Sequence, residues 1–130
     1  MWTKIAPELV RQHPWGIGYR SLTNDMMRRI APEVEPERDH LHSNLVQVLV
    51  DSGWLGLALY LFWMSGAIAN AASLARKAQR LWAAPEPALI LLLAMAGLFA
   101  NGLVEYNFGD AEIVLLYGFI MGSASSRLSA

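Results

Sequence analysis

The stretch DHLHSNLVQVLVDSGWLG, residues 39–56, sets the character of the whole chain. It opens polar, with His40, His42 and Asn44, then turns apolar, passes one acid at Asp51 and reaches Gly53 and Gly56. A long hydrophobic segment follows. This order puts titratable side chains at the mouth of a membrane span, where water meets hydrocarbon. Ionisable groups held there are functional candidates by default.

Composition agrees with that reading. Of the 130 residues, 55% are hydrophobic, and the mean hydropathy is +0.31. Ordinary soluble domains hold roughly 45–50% apolar residues on a count that includes glycine. The net charge of -1 and the lack of a basic face give no footprint for nucleic acid, which is excluded as a partner. With no cysteine, disulfides and thiolate metal sites are excluded too. Glu8 and Arg11 interrupt the apolar region that a signal peptide needs.

Upstream of the histidines, Trp2, Ile5, Ala6, Leu9 and Val10 fall at helical spacing, with Lys4, Glu8 and Arg11 elsewhere. Such a stripe suits a helix lying on a membrane surface or packed on a neighbouring span. His13-Pro14 should end it, because the residue before proline is pushed out of the helical region. Gly16 and Gly18 allow a tight loop. A GxG with no strand before it is not a dinucleotide site. Residues 21–30 suggest a short helix capped by Thr23 or Asn24. APEVEPER, residues 31–38, has two prolines and three glutamates and reads as an exposed polar loop.

Downstream, residues 54–75 carry no formal charge and are enough for a helix to cross a core of about 30 Å. Residues 45–50 are apolar as well, so the first span is drawn at 45–75. Ala58, Gly66, Ala67 and Ala71 offer small surfaces for helix contacts. Arg76, Lys77 and Arg80 close the span, and Pro85 and Pro87 turn the loop at 76–87. Two further uncharged runs, 88–104 and 113–126, are drawn as spans on either side of an acidic loop at 105–112. The expectation is an all-α integral membrane segment with three spans, preceded by an extramembrane segment, 1–44, with short helices.

The pattern His42, Ser43, nine residues, Gly53, two residues, Gly56 resembles the signature H-[NSQ]-x9-G-x-x-G of the O-antigen ligase and polymerase superfamily of bacterial membrane glycosyltransferases. HPWGIGY, residues 13–19, looks like the segment that precedes this signature in the family, and EYNFGDAE, residues 105–112, is similar to an acidic loop near its C-terminus. The likeness covers nearly the whole chain but only the C-terminal part of a family member. On that ground the chain alone is expected to be inactive, with missing helices supplied by upstream sequence or another chain.

The resemblance implies a multi-pass protein of the bacterial inner membrane with its active face in the periplasm. Arg76, Lys77 and Arg80 beside a short loop, with Arg127 on the same side, mark the cytoplasm. Lys4, Arg11, Arg20, Arg28, Arg29 and Arg38 argue the other way. The family likeness decides for a periplasmic His42. The implied reaction passes a polyprenyl-pyrophosphate-linked glycan to a hydroxyl of the lipid A core or another glycan acceptor. Polysaccharide polymerases and protein O-glycosyltransferases share the superfamily, and a non-catalytic truncated membrane protein is the alternative of another class.

His42 is the catalytic candidate. An imidazole takes a proton from a sugar hydroxyl at neutral pH, and the resemblance gives His42 that role. The plainer alternative is an interfacial histidine that caps the helix. A pyrophosphate leaving group calls for cations, so Arg20, Arg28, Arg29 and Arg38 are candidate substrate contacts, with His40, Asn44 and Asp110 beside them. The family usually carries an arginine before the tryptophan matching Trp2, where this chain has Met1. Asp51, Glu105 and Asp110 are candidates for orienting His42 or the acceptor. Asp39, His40 and His42, with His13, have the makings of a metal set. The family transfer is metal-independent, and no metal or other cofactor is expected.

Overall fold

A computed structural model describes residues 2–37, 40–80, 86–107 and 110–126. Among them the chain is all-α, without a strand: α1 (Trp2–Gln12), α2 (Asn24–Ile30), α3 (Asn44–Arg80), α4 (Glu86–Gly102) and α5 (Ala111–Ser126). It divides into two units, residues 1–61 with 102–106, and residues 62–101 with 107–130.

The first unit is organised by α1. Its stripe is turned inward as the spacing requires: Ile5, Ala6, Leu9 and Val10 are buried, while Trp2 stays largely exposed. The helix stops at Gln12, ahead of the His13-Pro14 pair. α2 begins after Thr23, whose hydroxyl accepts from Met26 N at 3.3 Å and satisfies one of the orphan amides of the first turn. Met27 from α2, with Leu22, Leu41 and Val50, completes the core against α1. The loop at 31–37 is less exposed than its composition suggests. Ala31 and Val34 sit three residues apart and turn into the core, joined by a Val34 N to Ala31 O bond of 3.1 Å. The glutamates stay outside, and Glu33 pairs with Lys4 at 2.9 Å.

The apolar run at 45–75 is not one straight helix. Gly53 adopts φ 67 and ψ -166, which divides α3 into pieces 44–52 and 54–80. Asn44 and Tyr60 nonetheless share a side-chain hydrogen bond. In a straight helix these two would stand about 24 Å apart along the axis. The chain therefore bends back sharply at Gly53, and 44–52 lies beside the start of the longer piece. Continuous hydrophobicity hides such a break, because both pieces bury apolar faces.

In the second unit Met64, Ala67, Ala71 and Ala75 form a buried stripe at helical spacing. Ala67 and Ala71, two of the small residues picked out in the sequence, are buried in it. Ala58, in the first unit, is exposed, and Gly66 has open space where a Cβ would go. α4 and α5 are hydrophobic all round, and Leu93, Leu115 and Phe119 are well exposed. α4, of 17 residues, rises about 26 Å, and α5, of 16, about 24 Å. Among the described residues one helical stretch, Asn44–Lys77 counted through the break at Gly53, is long and apolar enough to cross a membrane.

Candidate functional site

Two backbone segments lock together at the C-terminal end of helix 44–52. A helix break at Gly53 separates the carbonyls of Val50 and Asp51 from their usual partners four residues on. The loop after α1 takes their place: Ile17 N donates to Val50 O at 3.0 Å, and Gly18 N donates to Asp51 O at 2.9 Å. In return Trp54 N donates to Pro14 O at 3.2 Å. Gly16 and Gly53 have φ of 90 and 67, and each lies against the other segment's backbone where a Cβ would stand. The GIG of one motif and the G of the other are two halves of one joint.

A chain of polar contacts runs from this joint to the histidines. Asp51 accepts from the Arg20 backbone N–H and from Gln47 Nε2, the latter at 2.9 Å. Gln47 Oε1 accepts from Leu41 N at 2.8 Å. Gln47 and Asp51 are buried, so each contact is made in a setting where a lost partner costs about 1–3 kcal/mol. Ser43, whose carbonyl accepts Gln47 N, opens the helix. Leu41 is fully buried between His40 and His42, which turns both rings outward on one side.

The two rings meet edge to face, centroids 5.5 Å apart. His40 also lies at 5.7 Å from the Tyr106 ring. Across from them Glu105 Oε1 stands 3.3 Å from His42 Nδ1 and accepts from Tyr106 N at the same distance. The hydrogen bond from His42, together with the Tyr106 amide, holds the Glu105 carboxyl below the usual glutamate range. In the tautomer whose Nδ1–H donates to an ionised Glu105, the lone pair of His42 is on Nε2. That is the tautomer a general base needs, oriented by a carboxylate as in nucleophile–His–Asp arrangements.

The other sequence candidates are dispersed. Arg20 sits in the left-handed region at φ 55, with its guanidinium 5.9 Å from the Tyr19 ring and its side chain exposed. Arg28 and Arg29 are exposed on α2, and Arg29 lines a groove with Glu8, Gln12 and His13. Arg38 and Asp39 lie outside the described residues. Asn44 is buried, bonds Tyr60, and leaves no room for a Cβ at Gly102. Asp110 belongs to the second unit, where its carbonyl accepts Val114 N at the start of α5.

Glu105 and Tyr106 were legible only through the acidic loop they belong to, and Gln47 had no signal beyond being an amide in an apolar run. No protein-family model matches the chain, no curated protein matches it, and no solved structure matches it.

Proposed function

We propose that this chain is the C-terminal part of a multi-pass membrane glycosyltransferase of the O-antigen ligase type, with its active face in the periplasm of a bacterial inner membrane. The observation that carries the reading is the His42–Glu105 pair at 3.3 Å, at the polar end of an apolar helix. In the reaction, the acceptor hydroxyl oxygen attacks the anomeric carbon of the lipid-linked glycan. Its proton passes to His42 Nε2 as the bond from that carbon to the pyrophosphate oxygen breaks. The polyprenyl pyrophosphate leaves with the bonding electron pair. Glu105 fixes the imidazole tautomer and stabilises the imidazolium that forms.

Three spans follow from the same reading. Residues 54–77 rise about 36 Å, more than the roughly 30 Å of hydrocarbon. α4 and α5 are uniformly apolar with exposed Leu and Phe, as lipid-facing helices are. They cross where the bilayer thins locally. An apolar groove of about 710 Å³, lined by Trp2, Ala6, Val10, Val46, Leu49 and Trp54, suits a polyprenyl tail. Arg20, exposed on the loop that the joint holds in place, is the cation we assign to the pyrophosphate, because it directly follows the GIGY motif in sequence.

Deletion of the gene tests the reading through the cell's lipopolysaccharide on a gel. Loss of the whole glycan ladder from lipid A core supports the ligase. Core capped by a single repeat makes the protein a polymerase. An unchanged ladder rejects both and leaves a non-catalytic membrane protein.

A further inference from the structure

We infer that His40, His42 and Glu105 form a divalent-metal site of the zinc class. One ligand atom from each of the three lies within 4.8 Å of the other two, and His42 Nδ1 and Glu105 Oε1 are already 3.3 Å apart. Zinc bonds of about 2.0–2.1 Å in a tetrahedron put neighbouring ligand atoms about 3.3 Å apart. The His42–Glu105 edge therefore has the length a shared ion needs, and the His40 ligand atom lies within 4.8 Å of both.

The donor set selects the ion. Two imidazole nitrogens and one carboxylate suit zinc, whereas magnesium and calcium call for oxygen donors throughout. Three protein ligands leave a fourth position, and the exposure of Glu105 opens it to water. Burial of Leu41 and its bond to Gln47 fix the backbone between the histidines, so the two rings are presented together. The Tyr106 ring flanks His40, and the Tyr106 amide orients the carboxylate. Metal ligands are commonly held by contacts of these kinds.

This assignment departs from the metal-free expectation drawn from the sequence. There Asp39 and His13 were the partners considered for the two histidines. Glu105, 63 residues beyond His42, takes their place. A bound ion would replace the proton between His42 Nδ1 and Glu105 and leave the ring proton on Nε2. The ion-bound form thus holds His42 as a ligand, and the ion-free form offers Nε2 as a base. The ion would also tie the 40–42 loop to the 105–106 turn.

Isothermal titration of the purified, chelator-dialysed full chain in detergent with zinc chloride tests the site without reference to glycan transfer. One zinc per chain is expected. Weakening by more than about tenfold is expected in His40→Ala and in Glu105→Gln, with His13→Ala unchanged. Because Glu105 is exposed, its variant reads binding even where His40→Ala fails to fold. Cobalt in place of zinc should give the intense visible bands of a tetrahedral site, lost in Glu105→Gln. Absence of stoichiometric binding, or binding indifferent to Glu105→Gln, overturns the site and leaves the glycan-transfer reading untouched.

Discussion

Gly16 and Gly53 stand against each other with no side chain between them: a Cβ on Gly16 would come within 2.7 Å of Gly53 N. Both have positive φ. Their contact joins the loop after α1 to the break in α3.

Substituting either glycine should therefore weaken the first unit more than an ordinary surface change. Left-handed strain and overpacking together amount to about 2–4 kcal/mol for Gly16→Ala or Gly53→Ala. Gly66→Ala, where a Cβ meets open space, serves as control. Thermal melts in detergent should show a marked drop for the first two and little change for the third. Equal melts for all three would mean that the joint does not constrain the fold.

Gln47 links Leu41 to Asp51, so removing its amide strands two partners at once. Gln47→Leu should cost about 2–4 kcal/mol, since a buried carboxylate and a buried amide each lose a bond. Hydrogen exchange at the Leu41 amide reports the loss directly. Protection there should fall in the variant, while α2 amides such as Met27 keep theirs.

The order of these contacts explains how much the sequence discloses. α1 is legible because Ile5, Ala6, Leu9 and Val10 repeat with the helix, and α2 because Thr23 is a cap with a known partner. The break at Gly53 is not, because residues 45–52 and 54–75 are both apolar and no periodicity marks the bend. Only the glycine itself hints at it. The His42–Glu105 pair joins residues 63 positions apart, and local patterns carry nothing about such pairs. A membrane-side assignment could place the acidic loop near the histidines, but it could not choose Glu105 from Asp110. Asn44 is named from the sequence as a candidate substrate contact, and its burial and bond to Tyr60 depend on the bend at Gly53, which no local pattern shows.

Glu105 should titrate below 4.5, the value it would have without its partners. A depressed carboxyl contributes stability above its unfolded value, and loses it as the pH falls through the folded one. The His42–Glu105 contact should therefore persist from neutral pH to below 4.5 and then fail. Carbon NMR of the labelled side-chain carboxyl measures the midpoint. In His42→Ala the midpoint should rise, since the hydrogen bond from His42 is the largest cause of the depression. An unmoved midpoint would mean that the pair does not form.

Membrane topology is accessible because the chain has no cysteine. Single cysteines at Glu37 and Lys77 can be probed in intact spheroplasts with an impermeant maleimide. Glu37→Cys should label from outside, and Lys77→Cys only after the membrane is opened. The reverse pattern would place His42 in the cytoplasm and end the periplasmic reading.

Glycan transfer through His42 is the centre of the account. The direct measurement is the lipopolysaccharide ladder of a deletion strain restored with the longest upstream-extended reading frame in wild-type, His42→Ala and Glu105→Gln forms, at matched protein levels. Wild type should restore the ladder and His42→Ala should abolish it. Glu105→Gln should reduce it, with the remaining activity shifted in its pH dependence. A full ladder with His42→Ala would contradict the account, whatever the other variants do.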